Sequence, residues 1–197
     1  MTEFLQAHWL DMLTTVLGLA YKILEYKASV WMWLAGFLMQ ALGLVLYYQK
    51  GLYADCGMEF YYLAMTVYGY WRWVRGGASA DSKPLEIRHF PKRLILPWLA
   101  VIGVVWMVIY WLLLSFTNSN VPLTDSFTTA LSIVGIWALA HKYLEQWAIW
   151  IVVDIVTCVL YFYKGIPFKA SLYCLYVFIA VAGFFKWRRM MKTTPEE

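Results

Sequence analysis

Two long runs without any charged side chain constrain this protein more than any other feature of its sequence. Residues 28–49 and residues 94–124 contain no Asp, Glu, Lys or Arg. A helix of about 20 apolar residues crosses the hydrocarbon core of a bilayer, because each residue adds about 1.5 Å along the helix axis. Each run is long enough and therefore predicts one membrane-spanning helix.

The composition extends this conclusion to the whole chain. Of its 197 residues, 62% are hydrophobic and 14% are charged, whereas soluble domains are about 45–50% apolar and about 25% charged. This excludes a soluble enzyme and a disordered chain. The three cysteines form no CxxC pair and the three histidines no HExxH motif, so we expect no metal and no cofactor. The first cation is Lys22, and we expect no cleaved signal peptide.

Hydrophobic runs and breaks between them predict seven spanning helices, near residues 6–24, 29–49, 54–75, 94–116, 124–141, 145–163 and 168–187. The breaks are Lys50-Gly51, Gly76-Gly77, Asn118-Ser119-Asn120 with Pro122, and Lys164-Gly165 with Pro167. With seven spans, all of the 16 cations except Lys50, Lys164 and Lys169 lie on one side of the membrane. The positive-inside rule then predicts an external N-terminus and a cytoplasmic C-terminus.

A shift of 114 residues aligns the second and third predicted helices with the last two. The segment 46–52, LYYQKGL, meets 160–166, LYFYKGI. The same shift pairs Trp33 with Trp147, Tyr62 with Tyr176, Val67 with Val181, Gly69 with Gly183, Trp73 with Trp187 and Arg75 with Arg189. Farther upstream, Lys22-x-Leu24-Glu25 matches Lys142-x-Leu144-Glu145 at a shift of 120, which suggests a six-residue slip. These ordered pairs indicate an internal duplication.

The duplication predicts one membrane domain over 1–197. It consists of a triple-helix repeat near 6–76, a linking helix near 94–116 and a second triple-helix repeat near 124–190. Because a single linking helix joins them, both repeats run in the same direction across the membrane and are therefore parallel. Parallel repeats occur in transporters, whose substrate site lies near the membrane midplane.

The same residues resemble the Pnu-type vitamin transporters, whose best-known members take up nicotinamide riboside and which include thiamine-type relatives. The resemblance covers about residues 10–190. It depends on Leu52-Tyr53-Ala54, Tyr68-Gly69-Tyr70-Trp71-x-Trp73, Lys142-Tyr143-x-Glu145-x-Trp147, Trp150, Lys164-Gly165, Gly183 and Trp187. It implies a three-plus-one-plus-three helix fold, a homotrimer in the bacterial inner membrane, and facilitated diffusion of a non-phosphorylated vitamin that is trapped by phosphorylation in the cytoplasm.

Two carboxyls depart from what the resemblance implies. Riboside-type members carry an amide where this sequence has Glu59 and an Asn where it has Asp154, and both amides are implied to face the substrate. Asp154 lies in the middle of a predicted span, where an ionisable group is costly and usually functional; the alternative is an interhelical hydrogen bond. Glu59 lies nearer a helix end, where a carboxylate at the outer membrane interface is the alternative.

Aromatic residues near these carboxyls complete the candidate substrate-binding set. Trp150 is one turn before Asp154, and Tyr62 one turn after Glu59. The set also includes Tyr173 and Tyr176 in the last helix and Gln40, the repeat counterpart of Asp154; membrane-interface belts and helix packing are the alternatives for them. Carboxylates and aromatic faces suit a planar cation. Thiamine adds an aminopyrimidine that pairs with a carboxyl, so we expect thiamine ahead of nicotinamide riboside, which is also cationic.

Lys22 with Glu25, and Lys142 with Glu145, are spaced as helical i,i+3 ion pairs, with a role as a gate latch as the alternative. A proton relay through Asp154, giving a proton-coupled carrier, remains an open alternative to facilitated diffusion. A sugar carrier built from similar parallel triplets is a further alternative, although no Pro-Gln pair begins the helices. An enzyme is disfavoured because no nucleophile and base, and no metal cluster, stand together in the predicted spans. We also expect contacts with membrane lipid and none with nucleic acid.

Overall fold

The protein is described by a computed structural model over residues 2–49, 53–76, 85–117 and 120–193. These residues form seven α-helices: α1 (Thr2–Tyr26), α2 (Trp31–Gln49), α3 (Tyr53–Arg75), α4 (Ile95–Phe116), α5 (Pro122–Ala140), α6 (Gln146–Tyr163) and α7 (Pro167–Thr193). The predicted all-α, polytopic fold is confirmed. The predicted breaks at Lys50-Gly51, at Gly77 and at Asn118-Ser119 lie outside the described residues.

Five stretches are long and apolar enough to cross a membrane, among the residues described: those containing α2, α4, α5, α6 and α7. The helices α1 and α3 are not among these stretches, and their charged residues include Lys22 and Glu25 in α1 and Glu59 and Arg72 in α3. The two charge-free runs correspond to α2 and α4, and α4 is the most hydrophobic of the five spans.

The chain divides into two compact units, residues 1–85 and 86–197. In the first unit, α2 packs against both α1 and α3. In the second unit, α4 packs on α5, α5 on α6, and α6 on α7. The linking helix α4 has no buried residue of its own. Each unit therefore contains one of the two predicted triple-helix repeats, and α4 belongs to the second unit.

Proline and glycine set several helix boundaries at the predicted breaks. Pro122 and Pro167 stand at the first positions of α5 and α7, where a missing N–H costs no hydrogen bond. Gly76 and Gly165 follow the ends of α3 and α6 with φ of 72° and 69°, a left-handed conformation that glycine adopts without a Cβ clash.

The turn between the first two helices of each repeat has the same backbone in both units. Ala28 and Lys142 are the two non-glycine residues of the described chain with positive φ, 51° and 52°, and they are 114 positions apart. The N–H of Ala28 donates to Glu25 O and that of Lys142 to Leu139 O, each over 2.9 Å. The predicted slip to a shift of 120 is therefore wrong. Lys142 corresponds to Ala28, and the match with Lys22 is a local similarity of sequence.

Both repeats are held by the same tryptophan and glycine contact. The six-membered ring of Trp33 in α2 lies against Gly69 in α3, and that of Trp147 in α6 against Gly183 in α7. A Cβ at either glycine would collide with the ring. Each tryptophan also meets a second one edge-on: Trp33 with Trp73 at 5.5 Å, and Trp147 with Trp187 at 5.6 Å, with interplanar angles of 89°. The predicted duplication is thus visible in the packing.

Candidate functional site

In the second unit, helix α6 contains one acidic residue. Asp154, halfway along the helix, is 3% exposed. Trp150 lies one turn before it on the same face, and its ring packs against Gly135 of α5, 3.3 Å from where a Cβ would stand. The glycine leaves the space that this indole ring fills. A carboxyl and an indole therefore lie on the same face of α6, one turn apart.

Three tyrosines form a cluster where α6 meets α7. Tyr161, two turns after Asp154, stacks on Tyr173 with ring centroids 5.4 Å apart. Tyr173 also meets Tyr176 edge-on at 5.5 Å. The Lys169 ammonium lies 5.4 Å from the centre of the Tyr161 ring, within the range of a cation–π contact. Tyr161 is not among the site residues predicted from the sequence, although its counterpart Tyr47 belongs to the aligned segment of the repeat.

In the first unit the acidic residue of the candidate set, Glu59, lies on α3. The Glu59 carboxyl rests against Gly43 of α2, 2.9 Å from where a Cβ would stand there. Gln40 lies one turn before Gly43, and Tyr62 one turn after Glu59. Glu59 is partly buried, less completely than Asp154. Both units thus combine polar groups with tyrosine on their second and third helices.

The repeat relates these two sets of residues position by position. At the shift of 114, Gln40 corresponds to Asp154, Glu59 to Tyr173, and Tyr62 to Tyr176. Each unit therefore has one carboxyl in the candidate set, on the third helix of the repeat in the first unit and on the second helix in the second unit. The duplicated scaffold has acquired different side chains at equivalent positions.

Tyr21 in α1 is a further candidate that the sequence interpretation missed. Its ring lies on Gly36, 3.2 Å from where a Cβ would stand. Gly36 is the counterpart of Trp150, and Gly135, under Trp150, is the counterpart of Tyr21. Each unit therefore places one aromatic ring between its first two helices, but from opposite partners. A comparison that looks for identical residues does not find this exchange.

The two predicted ion pairs differ. Lys22 Nζ lies 3.2 Å from Glu25 Oε2, and the Glu25 side chain is 0% exposed, so this pair is confirmed and buried. Residues 141–145 form a turn between α5 and α6, so the helical spacing assumed for Lys142 and Glu145 is wrong. Burial lowers the pKa of Lys142.

Glu145 instead fastens the segment before α4 to this turn. Its Oε1 lies 2.8 Å from His89 Nδ1, and its Oε2 accepts the N–H of Phe90 over 2.7 Å. Backbone hydrogen bonds from Arg88 N to Lys142 O and from Leu144 N to Arg88 O continue the contact. Glu145 is thus a structural clamp in the second unit.

These groups suit recognition rather than catalysis. Ionised carboxyls form hydrogen bonds roughly twice as strong as neutral groups do, and aromatic faces attract cations by about 0.5–2 kcal/mol each. Within the parts of the chain that the structure describes, no cluster of His, Cys, Asp and Glu fits a metal ion. Within each unit, such groups can form hydrogen bonds and cation–π contacts with a ligand.

Comparison with known proteins decides the class. Residues 8–189 match the family described as nicotinamide mononucleotide transporter. The chain belongs to this family. The nicotinamide riboside transporter PnuC of Escherichia coli (strain K12) is 25% identical over 203 residues, covering 91% of this chain and 84% of that protein. The riboflavin/roseoflavin transporter RibM of Streptomyces davaonensis is 27% identical over 183 residues, with the same coverage.

A solved structure supports the fold. The crystal structure of the vitamin B3 transporter PnuC resembles this chain with a TM-score of 0.73 at 25% identity, covering 96% of this chain and 84% of that one. The protein is therefore an integral membrane transporter and not an enzyme, as predicted. Its relatives are named for nicotinamide riboside and riboflavin, which does not support thiamine ahead of the riboside.

Proposed function

We propose that this protein carries a cationic, aromatic, non-phosphorylated vitamin across the bacterial inner membrane by facilitated diffusion, with thiamine as the preferred substrate. The observation that carries the proposal is the buried carboxyl of Asp154 beside the Trp150 ring. A vitamin with a fixed positive charge forms a charge-assisted interaction with an ionised carboxyl, which is roughly twice as strong as the hydrogen bond that a neutral vitamin forms there.

The carboxyls also bear on whether the substrate is phosphorylated. Asp154 and Glu59 both become negative when ionised, and a phosphate group near either one would be repelled. This favours the free vitamin over a mononucleotide, despite the description of the family. Cytoplasmic phosphorylation would then make uptake irreversible.

The proposal also includes the expected substrate-binding set, namely Asp154, Glu59, Trp150, Tyr62, Tyr173, Tyr176 and Gln40, to which the packing adds Tyr161 and Tyr21. The family resemblance supports a homotrimer. The distribution of cations supports an external N-terminus and a cytoplasmic C-terminus.

Calorimetric titration of the purified protein tests the specificity. We expect thiamine to bind more tightly than nicotinamide riboside, and riboflavin, which is neutral, to bind weakest. Asp154→Asn should weaken thiamine binding by about tenfold or more, because a hydrogen bond to a charged group contributes about 1.5–3 kcal/mol. Asp125→Asn, at the start of α5, is the matched control and should leave the affinity unchanged.

Two results would contradict parts of the proposal. Tighter binding of the riboside than of thiamine would assign this chain to the riboside, the alternative that its relatives' names favour. Unchanged thiamine affinity in Asp154→Asn would show that Asp154 acts only in helix packing.

A further inference from the structure

An open groove of about 590 Å³ lies in the second unit, beside α4. Its walls are almost entirely apolar, with Trp98, Leu99 and Ile102 from α4, Val134 from α5 and Ile149 from α6. The volume is within the range of roughly 300–1,000 Å³ that is typical of ligand pockets. The groove is lined by no residue of the proposed substrate-binding set.

One end of the groove is positively charged. Lys92 and His89 line it there, and both are exposed. Arg88 lies nearby, with its guanidinium 5.0 Å from the centre of the Tyr143 ring. Glu145 is the acid at this end, and its two oxygens are already engaged by His89 and by the N–H of Phe90. Glu145 keeps its negative charge in these contacts, so Lys92 and Arg88 together exceed it by one positive charge when His89 is neutral.

The residues of α4 and the turn before it that line the groove extend from Lys92 to Ile102. The candidate span containing α4 begins at Lys92. Ile102 is ten residues farther along, about 15 Å at 1.5 Å per residue, which is half of the roughly 30 Å hydrocarbon core. Trp98, whose ring lies 4.1 Å from that of Trp137 with an interplanar angle of 35°, lines the groove between Lys92 and Ile102.

We propose that this groove binds one phospholipid with an anionic phosphodiester headgroup. The headgroup lies at Lys92 and His89, and an acyl chain follows α4 to Ile102 at the middle of the bilayer. Basic pockets between membrane helices select anionic lipids in this way. The proposal depends on the membrane location of the chain and on no assumption about which vitamin it carries.

Native mass spectrometry and thermal unfolding of the full-length protein in detergent test the site. Phosphatidylglycerol and phosphatidylcholine with identical chains are compared. We expect one phosphatidylglycerol per chain to be retained and to raise the unfolding midpoint above that with phosphatidylcholine. Lys92→Ala should weaken phosphatidylglycerol binding about fivefold, from roughly 1 kcal/mol per cation near a lipid surface. Lys27→Ala, an exposed cation after α1, should not.

A second pair of variants tests the acyl part. Ile102→Trp fills the inner end of the groove and should reduce lipid retention, whereas Leu112→Trp on an exposed face of α4 should preserve it. Equal retention of the two lipids, or equal effects of Lys92→Ala and Lys27→Ala, would overturn the proposal. Binding of soluble glycerophosphoglycerol as tightly as the lipid would identify a phosphate site instead. Loss of oligomer mass in Ile102→Trp, without loss of lipid, would identify a second copy of the chain as the occupant.

Discussion

At the scale of single residues, the two repeats exchange an aromatic residue and a glycine. Tyr21 corresponds to Gly135, and Gly36 corresponds to Trp150. In each repeat, one ring and one glycine fill the same space between the first two helices. Trp150 lies one turn before Asp154 on α6. We predict from this exchange that both rings contact the substrate as well as pack between helices.

Replacing Tyr21 tests this role. Loss of one aromatic face should weaken binding of a cationic vitamin by about twofold to thirtyfold in Tyr21→Leu, which corresponds to about 0.5–2 kcal/mol. Tyr21→Phe keeps the face and should bind nearly as tightly as the natural protein. Tyr70→Ala, which removes an exposed tyrosine from α3, is the control. If Tyr21→Leu binds the vitamin normally but unfolds at a lower temperature, Tyr21 serves helix packing alone.

At the scale of helices, the glycines under Trp33 and Trp147 determine how closely the second and third helices of each repeat approach. Gly183→Ala should destabilise the protein by about 1–3 kcal/mol, because overpacking forces the ring or the helix to shift. Adding Trp147→Phe to this variant should recover part of the loss, since the smaller ring leaves room for a Cβ. Gly103→Ala, where a Cβ meets nothing within 4 Å, should leave the unfolding midpoint unchanged or raise it.

The measurement for these variants is thermal unfolding of the detergent-purified protein. A midpoint for Gly183→Ala equal to that for Gly103→Ala would show that the tryptophan and glycine contact does not determine the helix approach.

The helices were largely predictable because hydrophobic length and Pro or Gly breaks are local properties. The bounds of α2, α4 and α6 differ from the predicted ones by at most two residues. The clamp of Glu145 on His89 was not predictable, because it joins segments 56 residues apart through an irregular turn. Lys142 was aligned with Lys22 by identity of side chains, whereas the positive φ that relates it to Ala28 is a property of the backbone.

At the scale of the whole molecule, the candidate site followed from the sequence only in part. A rare charge in an apolar helix identifies Asp154 without structural knowledge. Tyr161 and Tyr21 required packing, since tyrosine is common in membrane helices and its surroundings decide its role. The predicted single membrane domain, with one linking helix between parallel repeats, stays a prediction, and the two repeats within it share helix order, turn geometry and packing.

A carrier that moves a cationic vitamin by facilitated diffusion, with no coupled ion, responds to the membrane potential and not to a pH gradient. A substrate with one positive charge gains about 2.3 kcal/mol per 100 mV, which corresponds to an accumulation of about fiftyfold inside negatively polarised proteoliposomes. We expect labelled thiamine to accumulate when a potassium diffusion potential is imposed and to remain near equilibration under a pH gradient alone. Protein-free liposomes are the control.

If a proton exchanges for each substrate cation at Asp154, transport is electroneutral. Accumulation would then follow the pH gradient and ignore the potential, which would replace facilitated diffusion with proton coupling.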